Sequence, residues 1–432
     1  MELKEQDRAN GQLGIFVLVV FAAGYLLSSQ LRGVTAALAA MFTAEFSLSS
    51  AQLGLLAGSY FVSFAIMQLP MGALLDRFGV RLVLVVSLSV AALSCLLFAN
   101  SSSFNGLFGA RLLSGIGVSA CLIAPLTAAR LWTAAAQQQR LNSWMLMAGA
   151  LGLVLGTLPS ESLATSFGWP SLFVALGILF AAVALLVAVK APKHNPQGTT
   201  GIRSFFLGYK NIMSTSYTWK IGALGFFNYA ILVAVQTLWI GPWLTQLRGE
   251  DARGASLELL FINIIMLVTF LLMGYLSPKF NTSAQDAERL LRRWTPASIT
   301  ILIVITIMGD KADWYMFALY CVTAWPLSVT HPLVGQQSKP AEAGRAIAFF
   351  NLLLFVGVFI WQWGFGLLVS AMSPTFGVTQ SYQIALGSLA AFSVVGYWVF
   401  LSAVPRPRLI ELDASVSHGS KTRAVIAPAS ED

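Results

Sequence analysis

The chain is poor in charge. Of 432 residues, 18 are acidic and 26 basic, and charged residues make up only 10% of the sequence. A water-soluble domain carries roughly a quarter, so a soluble globular protein is excluded. Carboxylates are scarcest where the chain is most apolar. None falls in the middle of a long hydrophobic run, and Glu45, Glu161, Glu258 and Asp313 all stand near run ends. Proton coupling through a mid-membrane carboxylate therefore has no seat. The three cysteines, Cys95, Cys121 and Cys321, lie inside apolar runs without paired spacing. That excludes a disulfide framework and a cysteine metal site. No Gly-rich loop ending in Lys-Ser/Thr is present, which argues against a nucleotide-driven pump. His331 is the only histidine inside an apolar run. With no partner at its depth, it leaves a membrane enzyme without a nucleophile or metal constellation. We expect no enzyme activity, no cofactor and no metal.

Long apolar runs are what the sequence does have; 57% of the residues are hydrophobic. A bilayer crossing needs roughly 20 of them in a row. Spans are expected near 14–42, 51–74, 82–99, 105–132, 142–163 and 168–190, then near 219–246, 254–278, 295–309, 313–337, 341–370 and 378–404. The class is an all-α integral membrane protein with 12 transmembrane helices in two six-helix bundles, 14–190 and 219–404. The polar start, 1–13, lacks the apolar core of a secretory signal. Between the bundles, 191–218 is a linker. In it Ile202, Phe205, Phe206, Tyr209 and Met213 share one helical face, so an amphipathic helix is expected on the membrane surface. The tail, 405–432, lacks periodicity and should be disordered.

Basic residues fix the orientation. With the N-terminus inside, 21 of the 26 Lys and Arg fall on the cytoplasmic side and only Arg248, Arg253 and Lys311 fall outside. Translocating basic loops is unfavourable. Both termini are thus expected in the cytoplasm, in a bacterial-type inner membrane. The net charge of +8 reflects this topology and not a nucleic-acid partner.

The octamers "MGALLDRF" at 71 and "MGYLSPKF" at 273 each follow the second span of their half. Such internal repetition is what a duplicated transporter shows. The run Gly72-x-Leu74-x-Asp76-Arg77-x-Gly79-x-Arg81 resembles the loop between helices 2 and 3 of the major facilitator superfamily. Arg111-x-x-Ser114-Gly115-x-Gly117 resembles that superfamily's helix-4 motif, with Ser114 where Gln is common. The second-half loop departs, carrying Pro278 in place of the acid. Together with the six-plus-six layout, the resemblance covers nearly the whole chain and lies closest to the organic-anion importing branches. It implies two bundles rocking about a midplane site. It also implies that Gly72, Asp76, Arg77, Gly79 and Arg81 form a cytoplasmic latch. Glycine suits a tight turn and a close helix approach, and Asp76 suits the positive end of a facing helix, such as that near Gly344.

Mid-span charges are rare and usually functional. Here both are arginines. Arg32 lies ~15 Å and Arg111 ~9 Å below the outer surface, at ~1.5 Å per helical residue. Two guanidinium groups in a central cavity suit a carboxylate, sulfonate or phosphate, and a cationic substrate would face them unbalanced. The expected partner is therefore a small-molecule anion, with a coupling proton or an exchanged anion and the lipid bilayer. The competing reading for Arg32 is structural, by snorkelling or carbonyl binding; for Arg111 the family resemblance implies a structural or proton-coupling role instead. His331 could carry a coupling proton or pack at a kink before Pro332. In span 7, Asn228, Tyr229, Gln236 and Trp239 fall on a similar helical face and are candidate substrate contacts. Asn263, Asn351 and Gln362 add polar groups that serve either substrate or interhelical bonding. The alternative function is a proton-driven multidrug or metabolite efflux antiporter. The glycine-rich motif of drug antiporters is incomplete in span 5, which has Gly149, Gly152, Gly156 and Pro159 but no closing Gly-Gly.

Overall fold

The computed structural model describes residues 15–192 and 209–402, apart from 133–134, 211, 281–282, 337 and 339–341. Its regular structure is helical, with no strand among the described residues. Among the described residues, nine helices are long and apolar enough to cross a membrane, and a bent pair, Trp144–Leu155 with Leu158–Phe167, makes a tenth.

Two of these are too long for one crossing. Ser50–Ala99 has 50 residues, roughly 75 Å at ~1.5 Å per residue, against a hydrocarbon core of about 30 Å. It breaks at Gly79, whose φ of 75° is left-handed and open to glycine without steric cost. Its arms, 50–78 and 80–99, fold back on each other, because one helix touches both. A Cβ on Gly115 would meet Tyr60 and Ser63, and one on Gly117 would meet Ala91. Ala343–Ser402 breaks likewise at Gly377, φ 76°. Its arms pack through Trp361 on Phe392 and Phe365 on Tyr382, at 4.9 and 5.5 Å between ring centroids. Counted by arms, the crossings among the described residues are twelve.

They run α1 (Ile15–Ala37), α2 (50–78), α3 (80–99), α4 (Phe104–Ala129), α5 (the bent pair) and α6 (Trp169–Lys190). The second set is α7 (Ser216–Gln246), α8 (Ala252–Leu276), α9 (Ala284–Met308), α10 (Trp314–Gln336), α11 (343–376) and α12 (378–402). The octamer at 71 closes α2, as the repeat requires. The side chains of Pro278 and Lys279, and most of the amphipathic stretch from Ile202 to Phe206, lie outside the described residues.

One boundary differs from expectation by more than two helical turns. α9 begins at Ala284, well before the expected 295. Its first turns are charged yet helical, because a capping box between Ser283 and Asp286 closes the start, satisfying amides that no turn precedes. Glu288 on the same stretch takes a 2.7 Å salt bridge from the buried Lys220 of α7. Charge lowered the apolar score without removing the helix.

The two halves meet chiefly through α1 and α2 with α7 and α11, and through α5 with α8. At the Ser49 end this seam is tight. A Cβ on Gly54 would overlap the Gln362 carbonyl, one on Gly366 the Ser50 carbonyl, and one on Gly241 the Ala36 carbonyl. The Ala51 amide donates to Ser370 across the seam at 2.9 Å. Toward the Gly79 end, Gly344 at the start of α11 has nothing within 4 Å of its Cβ direction. There the linker contributes Tyr209, which is buried and donates to the Leu69 carbonyl of α2 at 3.1 Å. Burial pushes its hydroxyl up to about 12, partly offset by Arg345 of α11.

Candidate functional site

The small residues of α4 decide where Arg111 goes. With Gly115 and Gly117 against α2 and α3, and Ser114 bonded to Ser94 of α3 at 3.0 Å, the preceding turn is carried against α1. Arg111 is 2% exposed. Its Nη1 donates to the Leu31 carbonyl at 3.0 Å and its Nη2 to the Thr35 hydroxyl. The guanidinium lies 5.2 Å from the Tyr60 ring centroid, a cation–π distance. Tyr60 in turn donates to the Ser28 carbonyl of α1 at 3.3 Å. Both Nη groups of Arg111 are thus engaged by protein oxygens, and only Nε is without a partner.

Arg32 is different. It is half-buried, and its one hydrogen bond runs from Nη2 to Ser29, one turn back, at 3.3 Å. Its Nε is buried and unpaired. Tyr60 of the first half and Tyr229 of the second lie within its electrostatic reach. The two arginines therefore occupy successive layers. Arg111 holds the turn of α1 that contains Leu31, and Arg32 projects from the next residue with donors unspent.

The α7 residues divide. Tyr229 lies near Arg32, and Gln236 donates to Asn263 of α8 at 3.2 Å. Asn228 is 3% exposed with both amide atoms unpaired, and its Nδ2 lies beside Gly396 of α12. Trp239 is 1% exposed. Its ring stacks on Phe365 at 4.3 Å and its Nε1 donates to the Gln362 carbonyl at 3.2 Å. Regular α-helical spacing gathers all four on one face. The structure separates them because α7 is π-helical over Leu224–Tyr229 and Val235–Trp239, and each wider turn shifts the register of the residues after it.

A polar chain crosses the seam below this level. Gln68 of α2, 1% exposed, donates to the Phe64 carbonyl at 3.5 Å and accepts from Asn351 of α11 at 3.3 Å. Asn351 Oδ1 lies 2.8 Å from His331 Nε2. The His331 ring meets Tyr229 edge-on at 5.6 Å and Phe350 at 4.9 Å. Sequence reasoning passed over Gln68 and Tyr60. The signal for Gln68 was present, since it is the one amide in the apolar run "FAIMQLP".

Of the loop residues, Gly79 forms the turn, and Asp76 and Arg77 are exposed. Arg81 donates to the Ala188 carbonyl, and to that of Ala191 at 3.4 Å, at the end of α6. This places a cation on the negative end of a helix.

The Major Facilitator Superfamily profile matches residues 17–362. The chain belongs to this superfamily. It is similar to the methylenomycin A resistance protein of Bacillus subtilis (strain 168), 28% identical over 240 residues, 55% of this chain and 48% of the relative. It is also similar to the 4-hydroxybenzoate transporter PcaK of Pseudomonas aeruginosa, 28% identical over 36% of this chain and 35% of that one. The match spans about half or less of the length of both. A longer match, 24% identical over 84% of this chain and 87% of the relative, is to the uncharacterized MFS-type transporter YcxA of Bacillus subtilis. Among solved structures, the D-xylose–proton symporter aligns with TM-score 0.72 at 17% identity, covering 90% of this chain and 98% of that one. A bacterial homolog of the human lysosomal transporter Spinster aligns with TM-score 0.71 at 16% identity, covering 90% and 96%. At that identity the likeness establishes the fold. This is a multi-pass membrane protein of the superfamily.

Proposed function

We propose that this transporter moves a small organic anion by alternating access, with Arg32 as its anion-binding residue. The observation that carries the reading is the guanidinium of Arg32 inside the α1 crossing, half-buried, with Nε unpaired and a single hydrogen bond, to Ser29 one turn back. A charge at that depth costs about 3 kcal/mol to insert, and a bound anion offsets that cost. Arg111, with both Nη groups engaged by α1, supports Arg32 from behind. We assign Tyr229 and Gln236 to the same site; Trp239 holds α7 against α11, and Asn228, with both amide atoms unpaired, lies beside Gly396 of α12.

In this reading the Gly79 end is cytoplasmic, as the basic residues require. The tight seam at the Ser49 end is then the closed outer gate, and Asp76, Arg77 and Arg81 belong to the inner latch, disengaged while Asp76 and Arg77 are exposed. The 14–190 and 219–404 bundles are the rocking units. His331 is the candidate seat for a coupled proton.

The test is a thermal-shift screen of the purified chain against small carboxylates, phosphates and neutral metabolites. A ligand that binds only the folded state raises its stability in proportion to RT ln(1 + [L]/Kd). Anions should raise Tm, and Arg32→Gln should remove the shift. Shifts with neutral or cationic compounds alone would overturn the anion assignment.

A further inference from the structure

We propose that His331 recognises a hydrogen-bond donor on the transported anion, at the end remote from its acid group. This rests on the anion reading above and adds the second feature that the substrate must carry.

The inference starts at a backbone atom. The Phe64 carbonyl can only accept a hydrogen bond, so the Gln68 group facing it at 3.5 Å is the amide nitrogen. Gln68 Oε1 then faces the other way and accepts from the Asn351 nitrogen at 3.3 Å. Asn351 Oδ1 is left toward His331 Nε2 at 2.8 Å. An amide oxygen is an acceptor, so Nε2 carries the hydrogen. In a neutral imidazole the other nitrogen is then a bare lone pair. Amide and imidazole orientations are ordinarily free choices. Here they are chained to a carbonyl whose role cannot be inverted.

Nδ1 has no hydrogen-bond partner among the described residues, and His331 is half-buried. The ring packs edge-on to Tyr229, and Tyr229 lies within the reach of Arg32. The first half thus carries an unspent cationic donor within electrostatic reach of Tyr229, and the second half carries an unspent acceptor in contact with that ring. An anion with acceptors alone satisfies Arg32 but sets a lone pair, or nothing, against Nδ1. An anion that also carries a hydroxyl or N–H satisfies both and ties the halves together through itself. Sites built around a hydrogen bond reject analogues that lack the partner, because a polar group is left unpaired. Between Tyr60 and Gln68 the α2 face is aromatic. Phe64 stacks parallel to Tyr60 at 6.3 Å, and Phe355 meets Phe64 edge-on at 4.8 Å. A ring-bearing acid therefore makes a suitable probe.

The experiment compares 4-hydroxybenzoate, 4-methoxybenzoate and benzoate on the purified full chain by titration calorimetry or thermal shift. The methoxy compound keeps the oxygen and loses only the donor. The hydroxylated acid should bind at least tenfold more tightly than the methoxy acid. His331→Phe should bring the two within twofold. His331→Gln should preserve the preference, because its amide can donate to Asn351 and still offer an acceptor. The wild-type comparison needs no substitution and stands even if a variant misfolds. Equal binding of the hydroxy and methoxy acids, both lost in Arg32→Gln, would overturn the role of His331 and leave the anion reading intact. Failure of all three probes to bind, or binding indifferent to Arg32→Gln, would overturn both.

Discussion

Arg111 donates to the Leu31 carbonyl at 3.0 Å, one residue before Arg32 on the same turn of α1. The two arginines inside the crossing helices are therefore held differently, and their duties should be separable. Arg111→Ala should leave the Leu31 and Thr35 oxygens short of a buried donor. Each such loss costs about 1–3 kcal/mol, so Tm should fall by several degrees. Arg32→Ala removes a cation held by one long bond to Ser29. It should keep or raise Tm while reducing anion uptake at least 100-fold, with Arg32→Lys intermediate. Melting curves and proteoliposome flux on the same preparations check both halves. A stable Arg111→Ala together with a destabilised Arg32→Ala would reverse the assignment.

A second expectation concerns the seam. The Cβ of Gly54→Ala would overlap the Gln362 carbonyl and stand 3.2 Å from Trp239, and that of Gly58→Ala would stand 2.9 Å from Phe359. Every one of these contacts belongs to the opposite half, so each half should still fold. The double substitution should hold the Ser49 end apart, reducing flux at least tenfold. Labelling of Ser50→Cys by an impermeant maleimide should accelerate by a similar factor. The native cysteines Cys95, Cys121 and Cys321 are all buried and should contribute little background.

How much of this was legible depends on which forces leave a linear trace. Hydrocarbon demands continuous apolar runs, so the twelve crossings could be read from sequence, including the return at Gly79, where a single glycine interrupts two of them. That Arg32 and Arg111 fall inside crossing helices was legible for the same reason. Their difference was not, because Leu31 and Thr35 come to Arg111 only through packing between α1 and α4. The α7 face was misread because nothing in "LGFFNY" announces a π turn. The Gln68–Asn351–His331 chain joins residues 283 and 20 positions apart, and no periodicity relates them. α9 shows the opposite error. Its charged first turns resemble a loop in composition, yet a cap and one buried ion pair keep them helical.

The third expectation tests the latch. Asp76 and Arg77 are exposed in this state, so Asp76→Asn should leave Tm within a degree or two. If Asp76 engages a helix N-terminus when the inner end closes, flux should fall about tenfold, since helix-end charge interactions in favourable geometry reach ~2 kcal/mol. Gly79→Ala should behave differently. A φ of 75° at that position costs an L-residue about 1–2 kcal/mol, so both stability and flux should drop. Cysteine accessibility at the Gly79 end, measured for both variants, separates a shifted equilibrium from a damaged turn.

The fourth concerns Lys220 and Glu288. Lys220 is buried, bonded to Glu288 at 2.7 Å, and capped by the Phe400 ring at 5.2 Å. Breaking a buried pair by removing one partner strands the other charge and costs about 3–5 kcal/mol, whereas replacing both by apolar side chains is often neutral. Glu288 retains some exposure, its side chain being 21% accessible, so solvent screening should place Glu288→Leu at the lower end of that range. Glu288→Leu alone should lower Tm clearly. Adding Lys220→Met should restore most of the loss, because the uncompensated ammonium is gone and an apolar side chain of similar length takes its place beside the Tyr217 and Phe400 rings. Additive losses in the double variant would show that the ion pair itself, and not the stranded charge, is what secures the start of α9 to α7.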